Sequence, residues 1–259
     1  MPADGSERGG SRRGVSGWLC RWWRALLAEV ISTALLVLLG IASILPKDVP
    51  LTNVALAFGF VVLINIEAFG PVSGAHMNPA VTLAATLYGR LEPLAAVGYL
   101  IAQIIGATLG FGALMGLAPE VFKTETVVGG TAPVLVGESA AMAVEAVLTG
   151  CLALLCCSIW AAEDAGKKDP TVSIKFAFTI AGLIYAGGAL TGASLNPVRS
   201  LAPALLQRFV SNHWVYWVGP LGGSAVATLL HRYVLRPSVP APAPVSTPEQ
   251  LPLHLKADH

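Results

Sequence analysis

Long apolar segments separated by short polar stretches run along most of this chain. Six of them are long enough to cross the roughly 30 Å hydrocarbon core of a bilayer as helices, namely residues 25–45, 52–69, 94–117, 139–160, 171–188 and 214–234. Two further apolar stretches, 78–88 and 196–207, are too short to cross, which is typical of helices that enter a membrane only part of the way. The pattern predicts an all-α membrane protein with six transmembrane helices and two re-entrant half-helices.

The two short stretches begin with the same sequence pattern. The first reads SGAHMNPAVT from Ser73 to Thr82, and the second reads TGASLNPVRS from Thr191 to Ser200. Asn is a favoured N-cap and Pro is well tolerated in the first helical turn, so both motifs predict helix starts. A single Asn-Pro pair is usually no more than a capped helix or a turn. Two copies in matching places of the chain instead indicate a duplicated functional element.

The duplication extends to the segments around the motifs. Glu29 lies 49 residues before Asn78, and Glu145 lies 51 residues before Asn196. Because each half contains three spans, the second half enters the membrane from the opposite side, which is an inverted repeat. We therefore divide the chain into repeats at 25–117 and 139–234, an extracellular connection at 118–138, and cytoplasmic tails at 1–24 and 235–259, the second Pro-rich and disordered.

Composition agrees with this division. Hydrophobic residues make up 54% of the chain and charged residues 12%, whereas a soluble domain usually has about 25% charged residues. A net charge of +1 gives no reason to expect nucleic acid as a partner. The four Cys residues do not form a disulfide or metal-ligand pattern, and we expect thiols packed between helices.

The distribution of basic residues predicts the orientation in the bilayer. With both termini in the cytoplasm, twelve of the 16 Lys and Arg residues fall inside and three, Lys47, Lys123 and Arg208, fall outside, with Arg199 set aside as a pore residue. Cytoplasmic loops of membrane proteins carry such an excess. No short apolar core with a cleavage site precedes the first span. We expect an integral membrane protein of the plasma membrane, with the lipid bilayer as its partner.

The half-helices also predict a chemistry. In an inverted repeat their N-termini meet near the middle of the membrane, and a helix N-terminus carries partial positive charge that opposes a cation. The amides of Asn78 and Asn196 can donate hydrogen bonds to a passing oxygen atom. Selection by pore diameter, lining groups, an Arg and half-helix dipoles is known from aquaporins.

With these motifs the chain resembles the aquaporin, or major intrinsic protein, family. Further matching segments are Ala28-Glu29, Ala102-Gln103 with Gly106, and HWVYWVGP from His213 to Pro220. The resemblance covers about residues 25–234. It implies an hourglass fold, a homotetramer with one pore in each subunit, and passive passage of water or small uncharged solutes. Nothing in the sequence indicates an enzyme, a cofactor or a bound metal.

The resemblance assigns roles to particular residues. It places the central pore motifs at Asn78, Pro79, Ala80, Asn196, Pro197 and Val198. Val198 stands where the family has Ala, and because Val is bulkier we expect altered packing beneath the Asn pair. Glu29 and Glu145 match buried acids that hold the re-entrant loops by accepting backbone N–H bonds. A proton relay is the alternative role for a Glu inside the membrane.

The family's outer constriction maps onto four positions, Phe58, Ile184, Ala193 and Arg199. Water-selective members typically have His at the position of Ile184, where it forms a narrow polar ring with the Arg. Here a single charged donor faces three apolar or small walls. We expect a wider, more apolar throat that lowers the barrier for glycerol or urea without excluding water.

Subfamily features leave two solute classes open. The glycerol-facilitating branch usually has Asp after the Arg, whereas this chain has Ser200. The motifs and the stretch from Ala102 to Gly106 are more similar to insect glycerol-transporting aquaporins, which derive from the water-channel type. Ile184 also resembles the aquaporins that pass ammonia and peroxide.

Two other functions compete with a passive channel. An ion-coupled inverted-repeat transporter would need ionisable groups that face the pore. A junctional structural protein would not need intact Asn78, Asn196 and Arg199.

His76 is expected in the cytoplasmic vestibule, either as a hydrogen-bonding group or as a pH gate. Glu67 is unusually polar for its span, and it fits either a vestibule residue or a contact between subunits.

Overall fold

Helices account for almost all the regular structure in the computed structural model, which describes residues 15–46, 48–124 and 127–236. The helices are α1 (Val15–Ala42), α2 (Leu51–Ser73), α3 (Pro79–Tyr88), α4 (Pro93–Leu117), α5 (Pro119–Thr124), α6 (Glu138–Asp164), α7 (Val172–Thr191), α8 (Pro197–Leu206) and α9 (Val215–Leu230). A 3-10 turn, Ser211–Trp214, precedes α9, and a π-helical turn, His231–Leu235, follows it. These ranges contain no strand. Most of both predicted tails, residues 1–14 and 237–259, and Lys47 lie outside the described residues.

Five of these helices, α1, α2, α4, α6 and α7, are long and apolar enough to cross a membrane, with mean hydropathy between 1.5 and 2.3. The sixth predicted span is α9, which has 16 residues and continues directly into the five residues of the π-helical turn. The predicted all-α architecture is therefore confirmed. The α-helical part of the last span, Val215–Leu230, is shorter than the predicted span at 214–234.

The first helix begins at Val15, ahead of the predicted start at residue 25. The added turns carry Trp18, Trp22 and Trp23 together with Arg21 and Arg24. Aromatic and basic side chains favour the membrane–water interface, so a helix can extend through them into the cytoplasm. A hydropathy window detects only the part of a helix that lies in hydrocarbon, and it misses such an extension.

The outer surface of the bundle is apolar. Large hydrophobic side chains that are at least half exposed occur on several spanning helices, among them Phe60, Ile64, Leu109, Val147 and Val226. Apolar surface of this extent on isolated helix faces is what a bilayer covers. Cys156 and Cys157 are buried as expected, but the expectation is wrong for Cys20 and Cys151, which are both exposed.

Paired glycines bring the spanning helices into close contact. Gly106 and Gly110 of α4 lie against the backbone of α1, and Gly219 and Gly223 of α9 lie against the backbone of α6. A Cβ atom at any of the four would overlap the neighbouring helix. Small residues spaced by four are a common means of close helix packing in membranes. The same device thus occurs once in each half of the chain.

The two half-helices, α3 and α8, lie between these pairs. Each has 10 residues, or about 15 Å at the usual rise per residue, which is half of the hydrocarbon thickness. Each begins directly after an Asn N-cap with Pro in its first turn. The two loops that lead into them, 74–78 and 192–196, meet inside the bundle.

Candidate functional site

Asn78 and Asn196 connect the two loops to each other. The Asn78 Nδ2 atom donates to the Leu195 carbonyl oxygen at 2.8 Å, and the Asn196 Nδ2 atom donates to the Met77 carbonyl oxygen at 2.8 Å. Each amide nitrogen carries two N–H groups, so one on each side chain remains for another acceptor. Both Asn side chains lie on the wall of the same cavity.

The side-chain oxygens of the two Asn residues cap their half-helices. Asn78 Oδ1 accepts from the Ala80 backbone N–H at 2.8 Å, and Asn196 Oδ1 accepts from the Val198 N–H at 3.1 Å. Pro79 and Pro197 occupy the first helical positions. Ala80 and Val198 are both completely buried. The larger Val198 is therefore accommodated within the protein interior.

Glu29 of α1 holds the first loop from within the bundle. One of its carboxylate oxygens accepts from the Ser73 hydroxyl at 2.7 Å and from the His76 N–H at 2.9 Å. The other accepts from the Met77 N–H and from Gln103 Nε2, both at 2.8 Å. A completely buried carboxylate requires such partners. Four donors from three chain segments therefore converge on one side chain.

Glu145 of α6 holds the second loop in the same way. One oxygen accepts from the Thr191 hydroxyl at 2.7 Å and from the Ser194 N–H at 2.9 Å, and the other accepts from the Leu195 N–H at 2.8 Å. Glu145 is also completely buried. It has three of these donors where Glu29 has four.

A buried Tyr supports the start of each loop. The Tyr99 hydroxyl donates to the Ser73 carbonyl at 2.8 Å, and the Tyr216 hydroxyl donates to the Thr191 carbonyl at 2.7 Å. Beyond these points both loops take left-handed backbone conformations that residues other than Gly rarely adopt. They occur at equivalent positions, with positive φ at Gly74, Ala75, Met77, Gly192, Ala193 and Leu195. Tertiary hydrogen bonds maintain this strained backbone.

A cavity of about 710 Å³ passes along the two loops. On the side of the N-terminus its wall includes Arg90, Glu163 and Asp169, and on the opposite side it includes Ile44 and Val54. The cavity therefore reaches towards both faces of the bundle, with the Asn pair between them.

The mouth on the N-terminal side carries fixed charges. Arg90 forms ion pairs with Glu163 at 3.0 Å and with Asp164 at 2.7 Å. Asp169 is paired with Lys175. Hydrogen bonds from Lys175 and from Thr171 lower the pKa of Asp169 to about 2, so this carboxylate stays ionised over the physiological pH range.

The four residues of the predicted constriction come together on the wall of the cavity. Phe58 of α2, Ile184 of α7, Ala193 of the second loop and Arg199 of α8 all line it, and none is more than 7% exposed. The Arg199 guanidinium carbon lies 5.4 Å from the centre of the Phe58 ring. A Cβ atom at Gly40 of α1 would overlap that ring, so this glycine makes room for Phe58.

Arg199 is held by a segment that the sequence did not associate with the site. Its Nη1 atom donates to the Gly129 carbonyl at 2.6 Å. Next to this glycine, the Val128 backbone N–H donates to Gln207 Oε1 at 2.9 Å, and Gln207 Nε2 donates back to the Val128 carbonyl at 2.9 Å. Gln207 thus ties the connecting segment to the end of α8.

Three hydroxyl groups continue this support. The Thr131 hydroxyl donates to Ser200 Oγ at 2.7 Å, and Ser200 Oγ lies 2.6 Å from Ser194 Oγ. Ser194 in turn donates to the Asn196 carbonyl at 2.9 Å. Ser200 stands where the glycerol-facilitating branch has Asp. Its hydroxyl group links Thr131 of the 118–138 connection to Ser194 of the second loop.

His76 lies on the cavity wall at the first loop. Its Nδ1 atom is 3.1 Å from the Thr82 hydroxyl, and its ring centre is 5.1 Å from that of Tyr99. Glu67 is exposed and receives a hydrogen bond from the Ser173 hydroxyl of α7. It is not among the residues that line the cavity.

Opposed half-helices around one cavity, enclosed by apolar spanning helices, define a membrane channel of the hourglass type. The chain belongs to the major intrinsic protein, or aquaporin, family, because the family model described as "Major intrinsic protein" matches residues 18–231. Proteins of this family are channels, which confirms the expected class of membrane channel and the expectation that the chain is not an enzyme.

Individual relatives agree with the family. The chain is 37% identical over 253 residues to the lens fiber major intrinsic protein of Gallus gallus, covering 91% of this chain and 95% of the relative. It is 39% identical over 227 residues to aquaporin-5 of Sus scrofa, covering 83% and 82%. The X-ray structure of the aquaglyceroporin from Plasmodium falciparum matches with a TM-score of 0.75 at 24% identity, covering 83% and 97%. This last likeness shows the shared fold.

Proposed function

We propose that this chain is a passive channel for water and small uncharged solutes, including glycerol and urea, and that it excludes ions and protons. The observation that carries the proposal is that Phe58, Ile184, Ala193 and Arg199 all line the same cavity. We propose that these four residues form its constriction, with Arg199 as the one charged group and the other three as the rest of the wall. A carbon-bearing solute can place its hydroxyl or amide groups against the guanidinium and its carbon atoms against the apolar side.

Exclusion of ions follows from the centre of the pore. The N-termini of α3 and α8 meet there, and their partial positive charges oppose a cation. The remaining N–H groups of Asn78 and Asn196 act as donors to the oxygen of a solute. A water molecule bound this way cannot also accept from its neighbours in both directions, so a continuous chain for proton transfer is interrupted.

Ile184 favours glycerol and urea over a strictly water-selective pore. Water-selective relatives typically have His at this position, and the apolar Ile184 side chain lacks that polar group. For this reason we propose that the chain is functionally similar to insect glycerol-transporting aquaporins. The same side chain also favours ammonia and peroxide, and these are the second candidate solutes.

The assembly and orientation belong to the same proposal. We infer a homotetramer with one pore in each subunit, embedded in the plasma membrane with both termini in the cytoplasm. The excess of Lys and Arg on the side of the N-terminus supports this orientation. Glu67, exposed on α2 and bonded to Ser173 of α7, lies on the outer surface of the subunit, where a neighbouring subunit would reach it.

Vesicle permeability tests the proposed function. The full chain is reconstituted, and shrinkage or swelling is recorded under an impermeant osmolyte and under isosmotic gradients of glycerol, urea, ammonia and peroxide. We expect water and glycerol permeability above that of empty vesicles, with no dependence on proton or sodium gradients. Permeability to water alone would refute the solute proposal. Uptake that requires an ion gradient would indicate a transporter instead.

A further inference from the structure

We propose that a second cavity, between α1 and α2 on the N-terminal side, binds the anionic headgroup of a membrane phospholipid. This cavity is an open groove at the surface with a volume of about 360 Å³. Its wall combines Arg21, Arg24, Trp22 and Ala25 of α1 with Pro71 and Val72 of α2. It adjoins the pore cavity, with which it shares Trp22, Pro71 and Val72, and it includes none of the constriction residues and neither Asn.

Charge identifies the kind of ligand. Arg21 and Arg24 are both exposed, and among the described residues neither forms an ion pair with a carboxylate. Two guanidinium groups at one cavity provide forked donors that match a phosphate or a carboxylate. Basic side chains next to a spanning helix attract anionic lipids.

Aromatic side chains set the depth of the site. The guanidinium carbon of Arg21 lies 5.3 Å from the centre of the Trp22 ring, and that of Arg24 lies 5.3 Å from the centre of the Trp23 ring. The Trp22 indole N–H donates to Glu92 at 2.8 Å, which leaves the face of the indole to form the wall. Trp side chains favour the headgroup level of a bilayer. The cavity therefore lies where lipid phosphates lie.

An apolar path leads from the cavity along the membrane. Leu27 and Ile31 follow Arg24 at helical spacing on the same face of α1, and they are 49% and 40% exposed. On α2, Val72 and Ile64 are 49% and 55% exposed. An acyl chain whose headgroup sits between the two arginines would extend over these side chains. A free phosphate ion would use the arginines without this path, so we assign the site to a phospholipid.

Quenching of tryptophan fluorescence by brominated lipids tests the proposal. The full chain is reconstituted in phosphatidylcholine with a fixed fraction of brominated phosphatidylserine or, in parallel, brominated phosphatidylcholine. Trp22 and Trp23 flank the site, so we expect stronger quenching by the brominated serine lipid. Replacing both arginines in R21Q/R24Q should reduce this preference by about fivefold for each Arg, or roughly 25-fold together.

A charge-matched control separates a site from general attraction. K167Q/K168Q removes two positive charges from the loop between α6 and α7 on the same side of the protein, and we expect it to keep the preference. Equal quenching by the two lipids in the wild type would overturn the proposal, as would equal losses in the two double variants. Unchanged unfolding temperature in pure phosphatidylcholine checks that both variants are folded, and the readout does not depend on conduction.

Discussion

The two re-entrant loops share one set of supports. In each, a buried Glu from a spanning helix accepts from a hydroxyl and two backbone N–H groups. In each, a buried Tyr binds the carbonyl at the loop start, and the capping Asn donates to the opposite loop. The same supports are therefore repeated in both halves, although the side chains that form them are far apart in the sequence of each half.

The loops differ in what surrounds this common part. The first loop is bounded by His76, Thr82 and Gln103, which bond within the same half of the chain. The second is bounded by Ser200 and Thr131, and it alone carries an Arg after the motif. The supports of the fold are therefore duplicated, whereas three of the four residues that we propose to select solutes, Ile184, Ala193 and Arg199, belong to the second half and only Phe58 belongs to the first.

This comparison predicts its largest effect at the two buried acids. Glu29→Gln and Glu145→Gln each replace an acceptor oxygen by an N–H₂ group that faces buried donors. An unsatisfied buried donor costs about 1–3 kcal/mol. Because Glu29 has four donors and Glu145 has three, we expect the larger loss of thermal stability in detergent at Glu29.

The exposed acid Glu120, which pairs with Lys123 on the surface, provides the control. Glu120→Gln should leave the unfolding temperature unchanged, since an exposed pair contributes little. A Glu145→Gln variant as stable as the Glu120→Gln variant would show that the two halves are not supported alike.

The next effect concerns the second half alone. Gln207→Ala removes both hydrogen bonds to Val128, and the segment that carries the Gly129 carbonyl is then free to move away from Arg199. We expect a stability loss of about 1–2 kcal/mol and a changed ratio of glycerol to water permeability. Gln207→Glu keeps the acceptor for the Val128 N–H but places an oxygen atom against the Val128 carbonyl oxygen, so we expect it to change the ratio as well. An unaltered ratio in Gln207→Ala would mean that Arg199 is positioned without this segment.

A smaller effect tests the symmetry directly. Tyr99→Phe and Tyr216→Phe each remove one hydrogen bond to a loop carbonyl, and bonds between helices in membranes average about 0.6 kcal/mol. We expect similar losses of about 0.5–1.5 kcal/mol in the free energy of unfolding for the two variants. A loss confined to one of them would break the equivalence of the loops.

The smallest effect is a pH dependence at the start of α9. His213 Nε2 accepts from the Trp217 indole N–H at 3.2 Å, and burial lowers the pKa of His213 below its usual 6.5. The folded protein therefore binds the proton less readily than the unfolded chain does. The contribution of neutral His213 to the stability of the folded protein is complete above about pH 6.5. This contribution is lost as the pH falls through the pKa that His213 has in the folded protein.

Thermal unfolding at pH 7.5 and pH 5.5 measures this dependence. His213→Gln keeps an acceptor for the Trp217 N–H but does not titrate. We expect the decrease in unfolding temperature on acidification to be smaller in the variant than in the wild type. An identical decrease in both would rule out His213 as its source.

Sequence patterns predicted the helices well and their ends less well. The spans from 94 to 117 and the half-helix ending at Tyr88 agree with α4 and α3, because apolar runs bounded by Pro and Gly mark both ends. The start of α1 was missed because Trp and Arg residues at the interface lower the hydropathy without breaking the helix. The short helix α5 was missed because the 118–138 connection has no clear periodicity.

The site divides in the same way. Asn78, Asn196 and the four residues that we propose for the constriction were assigned from the motifs and from spacing known in the family, and all six line the cavity. Gly129 contributes a backbone carbonyl, and a sequence pattern carries no sign of where a carbonyl points. Gln207 lies 79 residues from Val128 in the chain, so only the folded arrangement reveals their contact.

The proposed constriction is tested most directly by placing His at two positions of α7. Ile184 and Ile180 both line the cavity one helical turn apart. Ile184→His narrows the throat and adds a polar group beside Arg199, whereas Ile180→His puts the same side chain one turn away. Stopped-flow light scattering on reconstituted vesicles gives the water and glycerol permeabilities of each. In Ile184→His we expect glycerol permeability to fall about tenfold, or about 1.4 kcal/mol in barrier height, with a much smaller fall for water, and in Ile180→His we expect no such change in the ratio. Equal proportional losses of water and glycerol in Ile184→His would contradict the assignment of the constriction to these four residues.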